Sequence, residues 1–176
     1  MYPFARMFKE LWKFRRAPAL PLLGTHVSHH ICWPWDLDPW AELNNGRTLT
    51  LYDLGRIPLS TRTGLRDVLR AKGWGMTVAG NTTRYRKRVV VFDRLEMHTR
   101  CIGWDARFIY TEQSMWRGSD CTSHILLRSA VISKAGMVAP ETVMAAMGLP
   151  KESPALPDWV QAWIATDALR PWPPSR

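Results

Sequence analysis

The sequence predicts an α+β domain, and three observations lead there. A strand-like stretch over residues 25–35 is followed by helical segments. From residue 76 to 133 the apolar period switches to two, with glycine-containing turns between long runs. No internal repeat interrupts this order. Strand, helix region and antiparallel meander together make one layered unit, a helix covered by a long sheet. The length of 176 residues suits one such domain. We place it over residues 24–148, between an amphipathic basic extension (1–23) and a Pro/Trp-rich helix and tail (149–176).

The elements follow in order. Over residues 1–16, Phe4, Met7, Phe8, Leu11 and Trp12 keep helical spacing, ringed by Arg6, Lys9, Lys13 and Arg16. Such a helix lies on an anionic membrane or packs its stripe on the body or a sister subunit. Ala17-Pro18-Ala19-Leu20-Pro21 ends it, and no small-residue cleavage site marks a secretory signal. In residues 25–35, Val27, Ile31 and Trp33 share a parity. The neighbours His29 and His30 then point to opposite faces and do not share a metal. Residues 60–73 read as a second helix stopped by Gly73. Leu95, Met97 and Cys101 alternate with Arg94, Glu96, His98 and Arg100. Turns fall at Gly103-Trp104-Asp105 and Gly118-Ser119-Asp120. A short helix carries Met144 and Met147 between Pro140 and Gly148, and Asp158 caps a last one.

Composition bounds function. With 46% hydrophobic and 22% charged residues the chain is neither disordered nor low-complexity. No run approaches the ~18–20 apolar residues of a membrane-spanning helix. Three separated cysteines, Cys32, Cys101 and Cys121, support neither a disulfide framework nor a Cys-x-x-Cys metal site, so we expect a reducing, cytoplasmic setting and no metal. Lys+Arg 24 against Asp+Glu 15 gives +9, which points to an anionic partner or to solubility alone.

The informative stretch is Asp36-Leu37-Asp38-Pro39, followed by Asn44-Asn45-Gly46-Arg47 and Leu51-Tyr52-Asp53-Leu54-Gly55-Arg56. Pro39 ends regular pairing, and Asn44 or Asn45 is suited to cap a helix. Thr48-Leu49-Thr50-Leu51 alternates and equally fits a strand. If the helix forms, its unpaired first N–H groups and dipole favour a developing oxyanion, and a nearby carboxylate is placed to attack or to activate water. Asp36 and Asp38 also serve simply to shape a turn.

This run resembles the hot-dog-fold thioesterases of the 4-hydroxybenzoyl-CoA thioesterase type, in their thioesterase-like subgroup. The resemblance extends over roughly residues 25–135. It implies a long antiparallel sheet wrapped around one central helix, and a homodimer or dimer-based tetramer with acyl-CoA sites between subunits. It also implies that Asp38 is the catalytic carboxylate, as nucleophile or general base, and that the Asn45 N–H polarises the thioester carbonyl. Asn44 and Gly46 complete the motif as substrate-binding positions. Where relatives often carry Gly-His-Met or Gly-His-Val, this chain has Ala41-Glu42-Leu43. Glu42, which we count with the substrate-binding positions, adds a carboxylate near Asp38 that either raises a pKa, acts as a second base, or is solvated.

Arg84, Arg86 and Arg88 fall on one face if their segment is a strand. They then meet coenzyme A phosphates, bind nucleic acid, or keep an edge strand soluble. Ser114, Ser119, His124 and Asp120 supply triad residue types, but no Gly-x-Ser-x-Gly elbow is present. Neither a P-loop nor a dinucleotide fingerprint appears. We therefore expect an acyl-CoA or acyl-carrier thioester hydrolase without a cofactor beyond the coenzyme A of its substrate, and do not expect nucleic acid as partner. The alternative is a non-catalytic acyl-CoA or lipid binder at the membrane surface, held by residues 1–16.

Overall fold

The computed structural model describes residues 2–174; Met1, at the start of the expected first helix, and Ser175 and Arg176, at the end of the tail, lie outside the described residues. The two-residue alternation becomes strand β3 (Arg94–Trp104), with Leu95, Met97, Thr99 and Cys101 buried on one face. Hairpins join it to β4 (Ile109–Arg117) and β5 (Asp120–Ser133) in antiparallel register, Met97 opposite Met115 and Ser114 opposite His124. The order departs from a simple meander at β2 (Gly75–Tyr85), which pairs with β5 on the far flank rather than with β3. With β1 (His26–Ile31) on β3, the sheet runs β1-β3-β4-β5-β2, and the short β6 (Gly136–Val138) joins β5. Local periodicity carries no information on this long-range pairing.

The ambiguous segment is a helix, α2 (Asn45–Arg62). Asn44 caps it, its Oδ1 accepting the Arg47 N–H at 3.1 Å. Leu51, Tyr52 and Leu54 are fully buried against Leu95, Met97, Met115 and Ile125, which is why the helix is apolar on several sides. Gly55 lets the helix lie close on the sheet. A Cβ there would collide with Thr99 Oγ1 and come within 2.8 Å of Met97 Sδ. This is the hot-dog arrangement: a curled antiparallel sheet around a central helix.

Four expectations need correction. The segment expected as one helix over 60–73 is split, because Gly64 at φ +77° separates α2 from α3 (Leu65–Lys72). The first strand ends at Ile31, and Pro34–Asp36 form one 3-10 turn. The inward parity of β1 is His26, Ser28 and His30 rather than the apolar set. Each of these side chains has a polar partner inside: Ser28 Oγ and His30 Nε2 share a hydrogen bond of 2.8 Å, and Arg62 reaches His26 Nδ1 at 3.0 Å, while His26 Nε2 has none among the described residues. Asp158 begins α5 (Asp158–Ala168) but makes no side-chain capping bond. The short α4 (Pro140–Ala146) ends near Gly148 as expected.

The N-terminal helix, α1 (Phe4–Phe14), packs along α2 through Met7. It leaves Phe4, Phe8 and Trp12 outside the core.

Candidate functional site at the start of the central helix

Between the 3-10 turn and α2 the chain reverses tightly. Asp38 Oδ1 accepts the Trp40 N–H at 2.9 Å and the Glu42 N–H at 3.2 Å, while the Asp38 N–H donates to the Glu42 carbonyl at 2.8 Å. Two donors on one oxygen orient the carboxylate and leave Oδ2 without a hydrogen-bond partner among the described residues. Ala41 sits within the turn at φ +59°, a left-handed conformation that glycine adopts without strain. The departure from the Gly-His pattern thus falls on a residue whose backbone favours glycine.

The turn is pinned from below. Asp36, fully buried, accepts Arg6 Nη1 at 2.7 Å and the Trp33 N–H at 3.0 Å, and Arg47 Nε lies 3.2 Å from its other oxygen. The Asn44 N–H donates to the Asp36 carbonyl at 2.9 Å, and the Leu43 N–H to Val89 at 2.8 Å. Asp36 therefore ties α1, the turn and the first turn of α2 together. The sequence offered no signal for this: Arg6 reads as one more surface cation on a basic helix.

Beside the turn, Asn45 lines a cavity of about 230 Å³ with Glu42, Thr48, Arg86, Arg88 and Ser123. The first N–H groups of α2 project from this helix end. Arg88 Nη2 donates to Glu42 Oε1 at 2.6 Å, and this bond holds the Glu42 carboxyl below its ordinary range. Glu42 is thus a paired carboxylate with no raised proton affinity. Arg88 is raised in turn, chiefly by Glu42 and also by the nearby charge of Asp38. Asn44 and Gly46 open on the neighbouring cleft of about 390 Å³, beside Trp35 and Arg47.

The three arginines do not share a face. Strand β2 stops at Tyr85, and the N–H groups of Arg86 and Lys87 both turn onto the Thr122 carbonyl. Arg84 stands opposite His124, in a separate pocket with Trp159 and Trp163 of α5. The triad types do not assemble either: His124 bonds Glu112 at 2.9 Å, Ser114 accepts Trp116 Nε1 at 2.8 Å, and Asp120 faces Lys87. His124, and then Arg100, hold Glu112 low, at about 2. Among the described residues no three metal-ligating side chains converge.

Further along α2 lies an apolar cleft of about 320 Å³, lined by Ile57, Leu59, Leu69, Met76, Val78 and Ile109, with Asp53 and Arg56 on its wall. Arg56 pairs with Asp53 and donates to Gln113 Oε1 at 2.8 Å; burial pushes its pKa down. Gln113 in turn donates to the Tyr52 carbonyl and to Thr99 Oγ1, both at 2.9 Å. This buried network was not identified from sequence. Only the Asp53-x-x-Arg56 spacing hinted at it.

Comparison with known proteins places the chain in a family. A family model described as thioesterase-like superfamily matches residues 32–164. A curated relative, Protein THEM6 of Xenopus laevis, is 35% identical over 146 residues, covering 81% of this chain and 69% of that one. Among solved structures, the probable thioesterase YbaW of Escherichia coli superposes with a TM-score of 0.64 at 16% identity, covering 69% of this chain and 95% of that one. Slr0204 of Synechocystis, a 1,4-dihydroxy-2-naphthoyl-CoA thioesterase, superposes with a TM-score of 0.59 at 10% identity, covering 71% and 96%. At these identities the structural matches speak for the fold.

Proposed function

The chain belongs to the thioesterase-like superfamily, and on that premise we propose that it hydrolyses acyl thioesters at the start of α2, with Asp38 as the reacting carboxylate. The observation that carries this reading is the Asp38 turn: one carboxylate oxygen held by two backbone N–H groups, the other without a hydrogen-bond partner among the described residues, in the segment leading into the N-terminus of a buried helix.

The thioester carbonyl oxygen sits on the Asn45 N–H, where the helix dipole favours the charge that develops in the transition state. Asp38 Oδ2 then attacks the carbonyl carbon and expels the thiolate, leaving an acyl-aspartate anhydride that water cleaves. In the other route it takes a proton from a water that attacks directly. Both routes need the carboxylate in the same place. Asn44 and Gly46 shape the approach to that helix end. Arg86 and Arg88 supply cations for the phosphates of coenzyme A, with Glu42 fixing Arg88. The apolar cleft along α2 takes an acyl group. Strand β2 pairs only with β5 among the described residues, so its other edge, with Met76, Val78 and Tyr85 exposed, is open to a second copy of the chain. A homodimer joined there brings two helix starts and two clefts into one assembly. The Escherichia coli protein is named a probable thioesterase and the Synechocystis protein a 1,4-dihydroxy-2-naphthoyl-CoA thioesterase, and these names support the reaction class.

The test is release of free thiol from a panel of acyl-CoAs of graded length and an acyl-carrier thioester, with size-exclusion chromatography alongside. Turnover with some members, by a dimer or tetramer, is the expected result. Binding of acyl-CoA without turnover would replace the enzyme by a binder.

A further inference from the structure

We propose that the exposed face of α1 is a docking surface for an anionic lipid bilayer. The helix cannot roll to bury its aromatic stripe, because its other side is locked. Arg6 donates to Asp36 at 2.7 Å and to the Ile31 carbonyl at 2.6 Å. Met7 and Glu10 are buried, and the Phe14 ring sits edge-on to His26 at 4.4 Å. With that side fixed, Phe4, Phe8 and Trp12 stand 61%, 66% and 66% exposed. Their i, i+4, i+8 spacing sets them in one stripe within about 80° of arc, running the length of the helix.

The charge around this stripe has one sign. Lys9, Lys13, Arg15 and Arg16 are exposed, and Glu10, the sole acid in residues 2–16, is turned inward. Arg15 lies over the Trp12 ring at 4.2 Å. Aromatic rings that sink to the headgroup boundary, beside cations that meet anionic headgroups, are what an interfacial helix needs. A second copy of the chain is a poorer occupant, since a twofold contact through this stripe brings the same cations face to face. Duplex nucleic acid would meet the cations through its phosphates but leave the row of aromatic rings exposed; a single strand would stack bases on them, and the experiment below separates that outcome. The proposal stands independently of the thioesterase reading.

The experiment is co-sedimentation of the full chain with phosphatidylcholine vesicles and with vesicles containing phosphatidylglycerol. The variants are the Phe4→Ser, Phe8→Ser, Trp12→Ser triple and the Lys13→Glu, Arg16→Glu double. All five positions are at the surface, and the double variant serves if the triple fails to fold. The wild type is expected to pellet with the anionic vesicles alone. Each variant should lose on the order of tenfold or more in partitioning, and added salt should weaken binding. Wild type remaining in the supernatant with both vesicle types, or a triple variant that pellets undiminished, overturns the proposal. So does a triple variant that elutes as a smaller assembly, which assigns the stripe to a second copy. Salt-sensitive binding to single-stranded DNA without vesicle binding assigns it to nucleic acid instead.

Discussion

Asp36→Asn removes the negative charge beneath the turn while keeping the side chain's shape. In the native protein this carboxylate is fully buried and faces two guanidinium groups whose side chains are only 16% and 18% exposed. Removing one partner of such a buried pair costs about 3–5 kcal/mol, because the surviving charge is left uncompensated. The Arg6 bond to the Ile31 carbonyl at 2.6 Å persists, and the asparagine oxygen still accepts the Trp33 N–H, which together place the cost near the lower end, about 3 kcal/mol. That is a large part of the ~5–15 kcal/mol that holds a domain folded. With a urea m-value of about 2 kcal/mol/M, the unfolding midpoint should fall by about 1.5 M at constant m. Released from its anchor, α1 should also be cut by trypsin after Arg15 or Arg16 sooner than in the wild type. A loss below about 0.5 kcal/mol, the scale of an exposed pair, would show that Arg6 and Arg47 find solvent and that Asp36 anchors nothing.

Other outcomes follow from the same geometry. Gly55→Ala forces a methyl against Thr99 and Met97 and should cost about 1–3 kcal/mol in urea unfolding; an unchanged midpoint would contradict the close packing of α2 on the sheet. Ala41→Gly relieves the left-handed residue in the Asp38 turn and should raise stability by about 0.5–1 kcal/mol, whereas a loss would mean the turn carries no strain. Burial depresses His26 to about 4 and His30 to about 3, so the unfolded chain takes up protons first as pH falls through 6.5. Their contribution is complete above pH 6.5 and declines below it, by about 2 kcal/mol each at pH 5, and a midpoint equal at pH 7 and pH 5 would refute this.

How much of this was legible in the sequence depends on the range of the interaction. The alternation of Leu95, Met97 and Cys101 is a local pattern, and it marked β3 with its buried face. The Asn44 cap is equally local. Thr48-Leu49-Thr50-Leu51 stayed ambiguous because a helix buried on several sides loses its amphipathic period. The parity of β1 differs from the pattern because hydrophobicity ranks His26, Ser28 and His30 as outward, whereas Ser28 and His30 pair with each other inside and Arg62 reaches one nitrogen of His26. Asp36 and Arg6 are thirty residues apart, so nothing nearby in the chain announces their pairing. Arg84 was grouped with Arg86 and Arg88 by spacing, but the chain leaves the strand between them. The site motif was legible as a resemblance; that Ala41 occupies a glycine-favouring conformation required the backbone itself.

The most direct test of the central claim is kcat for the best acyl-CoA substrate in wild type and Asp38→Asn. The asparagine keeps the oxygen that accepts the Trp40 and Glu42 N–H groups, so the turn and the unfolding midpoint should persist. Loss of the carboxylate should lower kcat by about 10²–10⁴-fold. Turnover within a few-fold of wild type, with the fold intact, would contradict the assignment of the reaction to Asp38.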